Sequence, residues 1–251
     1  MPRSKWKVPY TQPDLLNRLD SLYIDSEVIY EKDPHAIKPR RHQVTSKFSV
    51  HTSSRSTTML SSMIGLMFYN KSPRHINIKT AKKLSLYAEK KILRVGVFAN
   101  MKISEIKKII ENVKLDYLQF HGSEKLNFLK KIKEMTKIKI IKSIKVLNNN
   151  DIKKINIFKG ICDYILIDSK IVTKNKLNFE KKTKELNWKL LKNIKNKNSL
   201  ILSGALSVKN LEEATKFSNI KFIDVSSSIE NSAGEKNIKK INKFLKLAAK
   251  L

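Results

Sequence analysis

Leu93 to Glu124 reads LRVGVFANMKISEIKKIIENVKLDYLQFHGSE. Arg94 to Phe98 is short, apolar and β-branched. Ile103, Ile106, Ile109, Ile110 and Val113 recur at helical spacing, with Lys and Glu between them. Asp116 to Phe120 is apolar again, and His121-Gly122 ends the run. A buried strand, an amphipathic helix and a second buried strand form a βαβ unit, which implies parallel strands.

The same alternation extends outward. Ile64 to Tyr69 is an apolar run closed by NKSPRHI, and a helix is expected over Thr80 to Lys91. Lys125 to Met135 has helical spacing, Lys139 to Ile144 alternates as a strand, and Ile152 to Phe158 makes a short helix. Cys162 to Asp168, Leu200 to Gly204 and Phe222 to Ser226 are three further strands. Lys236 to Leu251 is a closing amphipathic helix.

The N-terminal part has another character. Pro9 and Pro13 exclude an early helix. Asp14 to Leu19 suits a short one. Asp25 to Lys47 is charged, carries Pro34 and Pro39, and reads as an extended arm or long loop. Lys47 to His51 is a candidate strand, and Ser53 to Thr58 a hydroxyl-rich turn around Arg55. Arg3, Lys5, Trp6 and Lys7 interleave basic groups with an aromatic. That pattern suits phosphate contact plus stacking on a base, or simply a basic terminus.

A chain of 251 residues fits one barrel domain or two smaller domains. Its net charge of +30 comes from 52 basic and 22 acidic residues and favours polyanionic or phosphorylated ligands. Much of the excess is Lys scattered over helix surfaces, which solvated faces alone explain. The one cysteine, Cys162, excludes an internal disulfide framework and suits a reducing compartment. No apolar run approaches the ~20 residues of a membrane span. A cytoplasmic location is expected, with the mitochondrial matrix as alternative.

The segments GVFAN and LQFHGSE, with the phrases around Arg74, Asp168, SGALSVKNLEEA and SSSIENSAGEKN, resemble the phosphoribosylanthranilate isomerase family over about residues 64–251. The resemblance implies an α/β fold, a (β/α)8 TIM barrel. It also implies an aldose-to-ketose isomerisation in tryptophan biosynthesis on a phosphorylated small molecule, without cofactor or metal, by a monomer or homodimer. By the same resemblance, Asp168 is the general acid for the furanose ring oxygen. Arg74 holds the anthranilate carboxylate, His121 lines the mouth, and Asp224 lies near the substrate hydroxyls. Backbone near Gly204, Ala205, Ser227 and Ser228 cradles the phosphate, and Ser207 caps the helix after it.

The family's first strand carries a Lys-Ile-Cys-Gly phrase whose Cys is the general base. The matching region here, RHQVTSKFSVHTSS, has no Cys. Cys162 begins the strand that Asp168 ends, on the order of 20 Å from the catalytic end at ~3.3 Å per residue, and cannot substitute. His51 is the candidate base in its place, since imidazole titrates near neutrality. Impaired activity and a replaced or degenerate first βα unit are therefore expected. The family's glycine-rich loop after Asp168 is replaced by a Gly-free, Lys-rich stretch.

A second resemblance covers about residues 1–63. RSKWKVPY and SSRSTTMLSSMIGL are similar to two motifs of small-subunit ribosomal protein nineteen. It implies ribosomal RNA as a partner, through Arg3, Lys5, Trp6, Lys7 and Arg55, and a division into a basic arm (1–60) and an isomerase-like barrel (61–251).

Overall fold

The computed structural model describes residues 50–53, 63–89, 92–168, 171–174, 181–184, 188–192 and 194–251. Seven parallel strands curl into a barrel wall. They are β2 (Met63–Met67), β3 (Leu93–Phe98), β4 (Tyr117–Phe120), β5 (Lys139–Lys145), β6 (Tyr164–Asp168), β9 (Leu200–Ser203) and β10 (Phe222–Val225). Strand β1 (Val50–Ser53) closes the barrel between β10 and β2, and it runs antiparallel to both. The connection from β1 to β2 is residues 54–62. A parallel crossover takes a dozen or more residues, so this connection is too short to bring β1 in parallel. Of the candidate strand at Lys47 to His51, residues 47–49 lie outside the described residues; Val50 and His51 belong to β1, which enters reversed.

Period-two alternation sorts each parallel strand into two faces. Met63, Val95, Val97, Tyr117, Ile141, Leu166 and Ile201 meet inside the barrel. Their neighbours Ile64, Leu66, Phe98, Leu118, Phe120, Ile140, Ile165, Ile167, Leu200, Leu202, Ile223 and Val225 belong to the outer packing layers under the helices. The helices among the described residues are Ile78–Ala88, Ile103–Asn112, Leu126–Met135, Asn149–Phe158, Leu211–Ser218 and Ile238–Ala248. In Ile103–Asn112 the apolar stripe buries Ile106 and Ile109, while the Glu105 carboxylate accepts the Lys102 backbone N–H and caps the first turn. Truncating a wholly buried side chain such as Leu118 or Ile140 to Ala would cost about 2–5 kcal/mol.

The bottom of the barrel is aromatic. Tyr117 and Tyr164 have ring centroids 6.0 Å apart, and Tyr164 meets Phe222 edge-on at 5.5 Å. Arg94, on the outer face at the start of β3, grips Asp116 through Nε (2.8 Å) and Nη2 (3.0 Å), and its Nη1 donates to the Ser85 carbonyl. This pair ties β3 and the entry to β4 onto the helix Ile78–Ala88.

Between β6 and β9, β7 (Ile171–Lys174) and β8 (Lys181–Lys184) form a small antiparallel sheet, followed by a 3-10 turn at Trp188–Leu191. The glycine-free stretch after Asp168 thus includes a hairpin. The closing helix starts at Ile238 with the Asn237 side chain capping it. Lys236, expected as its first residue, instead sits in β12 (Glu235–Lys236), paired with β11 (Glu230–Ser232).

Candidate functional site

The inward-facing residues change character along the barrel axis. Above the aromatic floor and the aliphatic layer, the next inward positions are Gln119, Ser143, Asp168, Ser203 and Asp224. This polar layer, at the C-terminal ends of the strands, floors an open cavity of about 980 Å³. Arg74, His121, Gly204, Ala205, Lys142 and Ser227 also line it.

Asp168 closes β6, in register with Lys145 on one side and Ser203 on the other. His121 follows β4 and places Nε2 3.4 Å from Asp168 Oδ2, with Nδ1 3.4 Å from the Gln119 amide. Asp224 is buried, and its Oδ2 accepts the Ser203 hydroxyl at 2.6 Å.

Two loops form the far rim. After β9, Gly204 and Ala205 take φ of 89° and 52°. The left-handed region suits Gly204, whereas at Ala205 it costs about 1–2 kcal/mol. The Asn210 amide restrains the turn by donating to Ala205 O (3.1 Å) and accepting from Ser207 N (2.8 Å). The helix that follows begins at Leu211 with Asn210, not Ser207, at the cap position, so the expected Ser207 cap is corrected. After β10, a 3-10 turn spans Ser227–Ile229. Ser227 faces the cavity. Ser228 does not line it; its hydroxyl donates to Leu206 O and ties the two loops together.

Arg74 faces the cavity from the loop after β2. The side edge of its guanidinium is taken: Nε donates to Glu230 Oε1 at 2.8 Å and Nη2 to Glu230 Oε2. Glu230 is itself held by Lys236, whose Nζ lies 2.8 Å from Oε1 and also donates to Ser226 O (2.8 Å) and Ser226 Oγ (3.2 Å). Burial pushes the Glu230 carboxyl up, but the hydrogen bonds from Arg74 and Lys236 outweigh it, and the group lies below its ordinary range. Burial likewise pushes the Lys236 ammonium down to about 8, against the opposing pull of Glu230.

A second buried pair supports the opposite rim. Lys142 Nζ donates to Glu124 Oε2 (2.9 Å), Gly122 O (2.7 Å) and Phe120 O (3.1 Å), and Glu124 Oε1 accepts the Asn100 backbone N–H. Asn100 Oδ1 then accepts from Ser123. A Cβ on Gly122 would come within 2.5 Å of that oxygen, so only glycine fits where the chain leaves His121. Sequence reasoning missed Glu230, Lys236, Lys142, Glu124 and Ser203. The phrase SSSIENSAGEKN contains both Glu230 and Lys236 and was the available signal.

His51 lies on β1, and its backbone pairs opposite Asp224; its side chain, like Arg3, Lys5, Trp6, Lys7 and Arg55, falls outside the described residues. Cys162 precedes β6, at the end away from the cavity, and packs into the outer layers. Burial pushes its thiol up to about 12. Among the described residues no three His, Cys, Asp or Glu side chains gather as metal ligands, and no helix is long and apolar enough to cross a membrane.

Residues 42–247 match the family profile of N-(5'-phosphoribosyl)anthranilate (PRA) isomerase. The isomerase of Thermoanaerobacter pseudethanolicus is 34% identical over 182 residues, covering 72% of this chain and 84% of that protein. The Petrotoga mobilis enzyme is 34% identical over 174 residues, covering 69% and 80%. Among solved structures, the Thermotoga maritima isomerase superposes with a TM-score of 0.64 at 30% identity, covering 76% of this chain and 89% of that one. A phosphoribosylanthranilate isomerase bound to reduced 1-(o-carboxyphenylamino)-1-deoxyribulose 5-phosphate superposes with a TM-score of 0.62 at 28% identity, covering 76% and 88%. The match starts at residue 42, reaches through β1, and lends no support to the ribosomal reading of the N-terminal motifs.

Proposed function

This chain belongs to the N-(5'-phosphoribosyl)anthranilate isomerase family of tryptophan biosynthesis, and from that premise we propose how its cavity handles the substrate. Asp168 is the general acid. It gives its proton to the furanose ring oxygen, the C1–O bond breaks towards that oxygen, and the nitrogen lone pair forms a C=N bond. Removal of the C2 proton then yields the enolamine, which becomes the ketose. The observation that carries this reading is the position of Asp168: the last residue of a barrel strand, in the polar layer, within reach of His121. A carboxyl half-enclosed at a strand end is suited to acid work.

The remaining roles follow the polarity of the rim. Arg74 receives the ring carboxylate, since a guanidinium edge binds a carboxylate through paired hydrogen bonds. The phosphate lies across the cavity, on backbone near Gly204, Ala205 and Ser227, with Ser228 bracing the two loops. Asp224, oriented by Ser203, contacts a sugar hydroxyl. His121 forms the wall beside Asp168.

The position of the family's cysteine base falls to β1, which enters reversed and carries His51 opposite Asp224. His51 is the base proposed in its place, and a less effective one is expected to lower turnover by roughly 10²–10⁴-fold against a cysteine-bearing relative. The test is fluorescence-monitored consumption of phosphoribosylanthranilate by the purified chain and its Asp168→Asn variant. Turnover that falls in the variant by about 10²-fold or more is expected. Equal rates in the two would remove Asp168 from the chemistry. Loss of turnover in His51→Ala, with product-analogue binding intact, would identify the base.

A further inference from the structure

Arg74 meets the cavity already engaged. An arginine has five N–H donors, and Glu230 takes one from Nε and one from Nη2, the whole side edge. The end edge, made of Nη1 and the second Nη2 hydrogen, has no protein partner among the described residues. By charge alone, an Arg–Glu pair is neutral and a poor receptor for a further carboxylate. Lys236 changes the count. It touches Glu230 from the other side, and its side chain is 1% exposed, against 4% for Glu230 and 23% for Arg74. Two cations share one carboxylate, so the group carries one net positive charge. That charge reaches the cavity only through the guanidinium, because Lys236 is enclosed by Ser226, Glu230 and the barrel wall.

We propose that Lys236 is a specificity-determining residue that never touches the substrate: by sharing Glu230 with Arg74, it leaves the end edge of Arg74 charged and open for a ligand carboxylate. Glu230 fixes the plane of the guanidinium, and Lys236 supplies the charge that this fixing would otherwise neutralise. The inference rests on the proposed role of Arg74. A merely structural Lys236 would act differently. Through its bonds to Ser226 it would brace the phosphate loop, and its loss would weaken every phosphorylated ligand alike.

Calorimetric titration of the full chain with two probes separates these cases. One probe is reduced 1-(o-carboxyphenylamino)-1-deoxyribulose 5-phosphate; the other is the same compound without the ring carboxyl. The wild-type chain is expected to prefer the first by about 10²-fold, the scale of a charged hydrogen-bonded pair. In Lys236→Met the preference falls below about 10-fold while affinity for the probe lacking the carboxyl is unchanged, and Lys236→Arg restores it. Equal weakening of both probes in Lys236→Met overturns the proposal in favour of a structural brace. No preference in the wild type overturns it together with the Arg74 role, and a wild type that binds neither probe overturns the substrate reading itself.

The wild type alone gives a second readout that survives a variant failing to fold. Lys236 faces Glu230, Arg74 and Asp224, and Lys240 approaches through Glu230 O. Burial has brought Lys236 down to about 8. The preference for the carboxylate probe should therefore decline as pH rises above that value, with no matching decline for the other probe. A preference that is flat in pH counts against the proposal.

Discussion

Two arginines among the described residues grip a carboxylate through the same edge, one at each end of the barrel. At the bottom, Arg94 holds Asp116, and its remaining nitrogen is taken up by Ser85 O. The charges cancel, and every nitrogen of the guanidinium has a partner. At the rim, Arg74 holds Glu230 in the same way, but its end edge has no partner among the described residues and a second cation stands behind the carboxylate. The lower pair is a rivet, and the upper pair is the receptor we propose. Geometry of the primary contact does not distinguish them; spare donors and leftover charge do.

Several measurements would break or sharpen this contrast. Arg74→Met should weaken the carboxylate-bearing product analogue by roughly 10²–10³-fold, read by titration, with a smaller loss of thermal stability because Lys236 still pairs Glu230. Arg94→Met should do the reverse. With Asp116 27% exposed, its cost should fall below the ~3–5 kcal/mol of a fully buried pair, at about 2–3 kcal/mol. That corresponds to a fall in Tm of about 5–10 °C in a chain of this size, with ligand affinity intact. Loss of affinity in Arg94→Met would erase the distinction.

The pH dependence of the two regions should also differ. The Glu230 carboxyl lies lower folded than its ordinary 4.5, so its network stabilises the fold above that value, and the contribution is lost as pH falls through the folded value. Lys236 lies at about 8 against an ordinary 10.5. Between these values the unfolded chain binds more protons at this residue, so its contribution to stability rises with pH. Stability differences between wild type and Lys236→Met, measured by denaturant titration across pH 8–10, should carry that sign while carboxylate affinity moves the other way. The smallest effect is expected at Cys162. Its half-buried thiol, which burial raises to about 12, should resist alkylation in the native state, and Cys162→Ser should leave turnover unchanged.

Much of the framework was legible because it is periodic. The βαβ unit from Leu93 to Glu124 appears as β3, Ile103–Asn112 and β4, with boundaries shifted by a residue or so. Arg74, His121, Asp168, Gly204, Ala205, Asp224 and Ser227 share one cavity because each lies near or beyond the C-terminal end of a parallel strand, and those ends converge. What was missed has at most a phrase for its signature. SSSIENSAGEKN holds Glu230 and Lys236, but Arg74 and Glu230 are 156 residues apart, and among 52 basic residues that phrase does not show which partner buries Lys236. Strand β1 shows a different limit. Its existence is a matter of composition, but its direction depends on the length of residues 54–62, and that constraint applies only once both of its neighbours are known.

The aromatic floor has a consequence for traffic. Tyr117, Tyr164 and Phe222, with the aliphatic layer above them, plug the barrel from below. Among the described residues the cavity is closed below and open at the rim, so whatever enters by the rim must leave by it. An incoming aldose and a departing ketose cannot pass each other. The ketose product should therefore behave as a purely competitive inhibitor, and adding it should raise the apparent KM without touching the maximal rate.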